Sequence, residues 1–202
     1  MNKLNRTSVQ NRVTNETSVK ITVNIDGTGE YDIKTGNGMF DHLLSQLSRH
    51  GLIDLNIQAQ GDEEVGWHHL VEDTAITLGK AFKQSVGEGK GMVRMGHTYV
   101  PLDEALVLTV IDYSGRGYAS IDCPLTESDL GGLPSDLIRH FMEAFAIEGG
   151  FNMHLNVLAG INNHHIAEAC FKSLARSMRA ALTIDPRQEN QVASTKGTIS
   201  SP

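Results

Sequence analysis

The chain has 202 residues, 40% apolar and 20% charged, which suffices for one globular core and excludes wholesale disorder. The 17 Lys+Arg against 24 Asp+Glu leave a net charge of −7, which argues against a nucleic-acid or membrane-surface scaffold. The longest apolar stretch, Ala105 to Ile111, is too short for a bilayer, the polar start Met1–Asn5 shows no leader, and Cys123 and Cys170 form no disulfide framework, so a cytoplasmic protein is expected.

Alternating patterns predict strands over 9–14, 17–25 and 30–35, with Asp26-Gly27 as a tight turn. A helical period follows over 39–50, then a strand over 52–60 and a longer helix over 66–84. The run Gly87–Gly91 marks a seam. Beyond it come strands over 93–100, 104–112 and 116–122, then helices over 135–148 and 163–183 around a strand over 151–158. From Asp185-Pro186 onward the tail is polar and is expected to be partly mobile.

The same order thus occurs twice, and residues repeat with it. Asp41-His42-Leu43-Leu44 matches Arg139-His140-Phe141-Met142, the histidines 98 positions apart. His68-His69-Leu70-Val71-Glu72 matches His164-His165-Ile166-Ala167-Glu168, 96 apart. Upstream, Glu16–Gly29 aligns with Glu104–Gly117 at a spacing of 88. A duplicated α+β fold is expected, each half a mixed sheet with two helices on one face. The halves run over 1–90 and 91–184, with a tail over 185–202.

On a helix, residues four apart share a face, so His68 projects with Glu72 and His164 with Glu168, while His69 and His165 lie on the flank. Val71, Ala75, Leu78 and Phe82 form a separate apolar stripe, which leaves the His/Glu side free of core duty. Spacing alone does not say which histidine each glutamate joins. Imidazole plus carboxylate without thiolate suits Mn²⁺, Fe²⁺ or Zn²⁺. His42 and His140, each helix-borne ahead of a motif at matching distance, strengthen the metal reading. Asp73 could orient a ligating imidazole, although its repeat counterpart is Ala169. Glu16 and Glu104, both in strand hairpins, are candidate acid/base carboxylates. Lys172 extends the ligand face from His164 and Glu168, and Arg94, Arg116 and Ser194-Thr195-Lys196-Gly197 could complete a phosphate clamp.

These motifs, with Arg49-His50-Gly51-Leu52 and Pro101-Leu102-Asp103-Glu104-Ala105, resemble imidazoleglycerol-phosphate dehydratases of histidine biosynthesis from about Arg6 to Gly197. The resemblance implies a duplicated α+β fold of the kind seen in ribosomal protein S5 domain 2, two Mn²⁺ per active site, and trimers assembled into a 24-subunit shell with active sites at subunit contacts. Carried over by position, one metal takes His42, His69, His164 and Glu168, and the other His68, Glu72, His140 and His165. Exchanging the two halves exchanges these sets. Glu16 falls at the acid/base position. Gln46, His50, Arg94, Arg116, Lys172, Ser194, Thr195 and Lys196 fall at substrate or phosphate positions. The implied reaction grips both nitrogens of the substrate's imidazole with two metals and expels the adjacent hydroxyl from the imidazolate, giving a diazafulvene-like intermediate. A carboxylate then removes the neighbouring, now acidic, proton. Two rival readings are a di-metal redox protein, whose bundles run Glu-x-x-His rather than the reverse, and a non-catalytic metal-binding shell, which needs no phosphate clamp.

Overall fold

A computed structural model describes residues 6–126 and 128–199; Met1–Asn5, Glu127 and residues 200–202 of the tail lie outside it. The first half runs β1 (Thr7–Val13), β2 (Thr17–Asn24), β3 (Tyr31–Lys34), α1 (Gly38–Gly51), β4 (Asp54–Gly61) and α2 (His68–Val86). The second repeats that series as β5 (Met95–Leu102), β6 (Ala105–Asp112), β7 (Tyr118–Asp122), α3 (Asp136–Gly149), β10 (Asn152–Ala159) and α4 (Asn163–Leu182). Between β7 and α3 it inserts a small hairpin, β8 (Asp129–Leu130) and β9 (Leu133–Pro134), which the sequence pattern does not announce.

The two main sheets share one topology. The first has order β1-β2-β4-β3 and the second β5-β6-β10-β7, with the last strand parallel to its neighbour in each case. Alternation along the central strands decides which face is covered. Val19, Ile21 and Val23 on β2 pair across to Ala59, Ile57 and Leu55 on β4, and all six point inward. Each sheet is covered on that one face by its own two helices. The helices of the two halves then pack on each other, α1 on α4 and α2 on α3.

Aromatic contacts make this one core. Phe141 on α3 meets Phe40 of α1 edge-on at 5.6 Å and stacks on Phe171 of α4 at 5.3 Å. Gly79 allows α2 and α3 to close, since a Cβ there would sit 2.8 Å from the Gly149 nitrogen. Val71, Ala75, Leu78 and Phe82 are all buried, so the apolar stripe of α2 does face the core. Among the described residues no helix is long and apolar enough to cross a membrane. Cys123 and Cys170 are neighbours, Sγ to Sγ 3.8 Å, and both remain free thiols.

The tail departs from expectation. It is docked over the seam rather than loose: Ile184 bridges Met92, Val192 bridges Lys90, and the Gly91 N–H donates to the Gln191 carbonyl at 2.8 Å. Ile199 is buried against Gly89. Polar composition alone predicted mobility, whereas backbone pairing to the Gly-rich seam supplies the anchor.

Candidate metal centre

Every candidate metal ligand stands in the N-terminal half of a helix, and the helix pairing decides which ligands meet. Where α1 packs on α4, the ligating atoms of His42, His164 and Glu168 converge within 4.8 Å of one another. Where α2 packs on α3, those of His68, Glu72 and His140 do the same. The first triad has His42 Nε2 at 2.9 Å and His164 Nε2 at 3.3 Å from Glu168 Oε2. In the second, His140 Nε2 lies 3.1 Å from Glu72 Oε1, and the His68 and His140 rings stack at 4.6 Å. The pairing of glutamate with histidine, which spacing left open, is therefore set by the facing helix.

Local structure fixes these positions. The Asn37 side chain accepts from the Phe40 N–H to start α1, and its amide donates to the Gly132 carbonyl of the inserted hairpin. The Asn162 side chain caps α4 by accepting from the N–H groups of His164 and His165, the ligand residues themselves. α2 begins at Trp67 with no side-chain cap.

Both triads suit a divalent ion. An octahedral site with bonds of about 2.1 Å has edges of about 3 Å, which is how far apart the carboxylate and imidazole atoms lie. Two imidazoles and one carboxylate form a borderline donor set without thiolate. Three protein ligands also leave positions open, as catalytic rather than structural sites do. Burial would raise the Glu168 carboxyl, but the Lys172 ammonium at 2.5 Å and the His42 ring reverse this and hold it at about 2. The group is an anion at neutral pH, as a ligand must be.

His69 and His165 join neither triad. His69 Nδ1 is held by Asp62 at 3.1 Å and its Nε2 lies 3.8 Å from Glu16. His165 Nδ1 is held by Glu104 at 2.8 Å. These hydrogen bonds to carboxylates raise both histidines above their ordinary range, and His165 in turn pulls Glu104 down to about 2. Asp62 escaped sequence reasoning because a lone aspartate in a loop carries no spacing signal. Glu104 was legible only as the repeat partner of Glu16.

The substrate candidates divide into two groups. His42, Gln46 and His50 form an i, i+4, i+8 row on α1, beside the row His164, Glu168, Lys172 and Arg176 on α4. Burial, Lys172 and Arg176 together lower the His50 pKa, which agrees with that closeness. The equivalent rows from the second triad continue with Ala144 on α3 and Ile76 on α2, so the polar track leads away from the first triad alone.

Arg94 and the tail stand elsewhere. The Arg94 N–H donates to the Ala181 carbonyl near the end of α4, 17 residues beyond His164, or about 25 Å along the helix. Its guanidinium grips Asp112 with two bonds, at 2.7 and 3.0 Å, and donates to the Ala193 carbonyl. That last bond places Ser194, Thr195 and Lys196 beside it. Arg116 lies in the β6–β7 loop, where the neighbouring Gly117 touches the backbone of Ile147 near the end of α3. Asp73, which by sequence could orient an imidazole, accepts from Arg12, Thr14 and Thr17. It points about 100° away from Glu72 around the helix.

Comparison with known proteins agrees with this architecture. A family model described as imidazoleglycerol-phosphate dehydratase matches residues 35–178. A curated relative of that name from Dehalococcoides mccartyi is 51% identical over 96% of this chain and 97% of its own length. Another from Dinoroseobacter shibae is 48% identical over 93% and 96%. A crystal structure of the dehydratase from Staphylococcus aureus superposes with a TM-score of 0.81 at 32% identity, covering 89% of this chain and 99% of that one. The enzyme from Pyrococcus furiosus superposes with a TM-score of 0.78 at 33% identity, over 93% and 98%.

Proposed function

The chain belongs to the imidazoleglycerol-phosphate dehydratase family, hydro-lyases of histidine biosynthesis, and from that premise we propose that it works with two Mn²⁺ ions in a site shared between subunits. One observation carries the reading. Each half-motif completes three of four inherited ligands within the chain and leaves the fourth, His69 or His165, aside. A second copy would supply that fourth ligand: His69 to the triad of His42, His164 and Glu168, and His165 to the triad of His68, Glu72 and His140. Two further features support sharing. The clamp of Arg94, Arg116, Ser194, Thr195 and Lys196 lies against the far ends of α4 and α3. A sugar phosphate cannot reach from His164 to Arg94 across about 25 Å of helix.

His42, His164 and Glu168 would hold one ion and His68, Glu72 and His140 the other, and the ions would supply Lewis-acid activation of the substrate's imidazole toward loss of the adjacent hydroxyl. The chain's own residues do the rest. Lys172, Gln46 and His50 line the polar track leading from the first triad and bind the substrate there. Glu16 has a half-exposed carboxylate beside His69, and it takes the proton from the carbon next to the ring. The clamp residues hold the phosphate and so fix the distance between that carbon and Glu16. The two halves act as copies of one unit, 1–90 and 91–184, with the 185–202 tail delivering the Ser-Thr-Lys-Gly segment. The working assembly is the 24-subunit shell of trimers, in the cytoplasm.

The test is turnover by the purified chain. With Mn²⁺ and imidazoleglycerol phosphate it forms the enolisable ketone, imidazole-acetol phosphate. After chelation the ketone does not appear, and added Mn²⁺ restores it. Metal-independent turnover would refute the metal reading.

A further inference from the structure

We infer that Asp73 is a positioning residue that holds the Glu16 turn in register with the metal helix; the inference rests on Glu16 acting as the acid/base group. The duplication makes the argument, because the chain contains its own control. Glu16 and Glu104 occupy the same position, directly ahead of the second strand, in two equivalent tight turns, Thr14–Glu16 between β1 and β2 and Asp103-Glu104 between β5 and β6.

In the second half the glutamate anchors its own turn. Glu104 Oε1 accepts from the Ile161 and Asn162 N–H groups at 3.2 and 2.8 Å, and Oε2 is bound to His165 at 2.8 Å. Three bonds hold such a carboxylate in place and stabilise its charged form, which makes it a poor acceptor for a substrate proton. Among the described residues the Glu16 side chain makes no such bonds. Its Oε1 lies 3.8 Å from His69 Nε2, and its side chain is 53% exposed.

A free carboxylate on a tight turn needs its backbone fixed by other means, and the first half supplies them. The Thr14 N–H donates to the Thr17 carbonyl at 2.9 Å, and the Thr14 hydroxyl accepts from the Glu16 and Thr17 N–H groups at 3.2 and 3.0 Å. Asp73 then ties this frame to α2: Oδ2 accepts from the Thr17 hydroxyl at 2.5 Å and Oδ1 from Arg12 Nε at 2.7 Å. Asp73 and Thr17 are both buried, so these bonds lie mostly out of water. Because Asp73 directly follows Glu72, one turn of helix sets both a metal ligand and the Glu16 turn.

The second half lacks every member of the network. At the repeat spacings of 88 and 96, Arg12, Thr14, Thr17 and Asp73 correspond to Val100, Leu102, Ala105 and Ala169. Four polar partners are replaced together by apolar residues, in the half whose glutamate holds itself. A merely structural brace for the hairpin would serve both halves alike; this one accompanies only the free carboxylate.

The test is a double-mutant cycle on the full-length, Mn²⁺-loaded chain. Asp73→Ala is expected to lower kcat about 10- to 100-fold, with KM and bound Mn²⁺ per chain unchanged. In a Glu16→Gln background the same change should lower the residual rate less than about twofold, because the group it positions is already gone. Thr17→Val, which keeps the buried shape and removes the donor, should reproduce the pattern, and it carries the test if Asp73→Ala does not fold. Equal losses in both backgrounds, or lost metal, would overturn the inference. Ordinary turnover by Glu16→Gln alone would instead remove the acid/base reading beneath it, a result seen in the single variant.

Discussion

Glu168→Gln is expected to lower turnover by about a thousandfold or more and to leave about one bound metal per chain in place of two. Glu168 sits at the hub of the first triad, with its Oε2 shared between His42 and His164 and its Oε1 on Lys172. Glutamine keeps the shape but removes the charge that offsets a dication. The amide end would also present N–H groups to imidazole nitrogens that must serve as acceptors toward the metal. Losing the metal's Lewis-acid contribution, about 4 kcal/mol of transition-state stabilisation, corresponds to roughly a thousandfold in rate. The second triad contains no atom of Glu168, so its metal should remain. Metal analysis of the purified variant together with steady-state rates checks both halves of the expectation.

Glu16→Gln has the second largest expected effect, with the opposite metal result. Removing a general base costs about 10² to 10⁴ in kcat. The carboxylate belongs to neither triad, so both metals should stay bound. It is half-exposed and anchors no backbone group through its side chain, so the unfolding midpoint should move little, as at other exposed sites. A variant that is folded, fully metallated and nearly inactive is the signature of a lost proton acceptor. A variant equally inactive but lacking metal would make Glu16 a supporting ligand instead.

The repeat made most of this legible. Alternation and helical period placed all the main strands and helices to within a few residues, because each face of each element has one environment to satisfy. Helical spacing put His68 with Glu72 and His164 with Glu168 on shared faces, while the division into two ligand sets came only from the family resemblance. The remainder depends on what lies opposite. Spacing could not pair Glu72 with His140 or Glu168 with His42, because those contacts span the helix pairs α2–α3 and α1–α4. Asp73 looked like a partner for imidazole because it adjoins Glu72 in sequence. Its direction around the helix instead brings it to Thr17 and Arg12. The tail read as mobile because it is polar, whereas most of its anchors are backbone bonds to a glycine seam, joined by Ile199 and by Arg94 on the Ala193 carbonyl.

One physical consequence ties these observations together. A helix is stiff, so groups at its two ends cannot converge on one small molecule within the same chain. The triads occupy the N-terminal ends of the helices, and the residues proposed to clamp the phosphate lie at the C-terminal ends. On the proposed reading, oligomerisation would be part of the chemistry rather than a stabilising addition, with each chain offering a ligand face to one neighbour and a clamp to another.

Mixed assembly tests that claim most directly. Glu168→Gln damages the triad and leaves the proposed clamp whole, whereas Lys196→Ala removes an exposed cation of the proposed clamp and leaves both triads whole. Each parent assembly should be nearly inactive. Shells reassembled from equal amounts of the two should regain about a quarter of the wild-type rate, because random pairing joins an intact triad to an intact clamp in that fraction of sites. Activity no higher than the parents at any mixing ratio would mean that triad and clamp serve the substrate from one chain, and the shared site would be wrong.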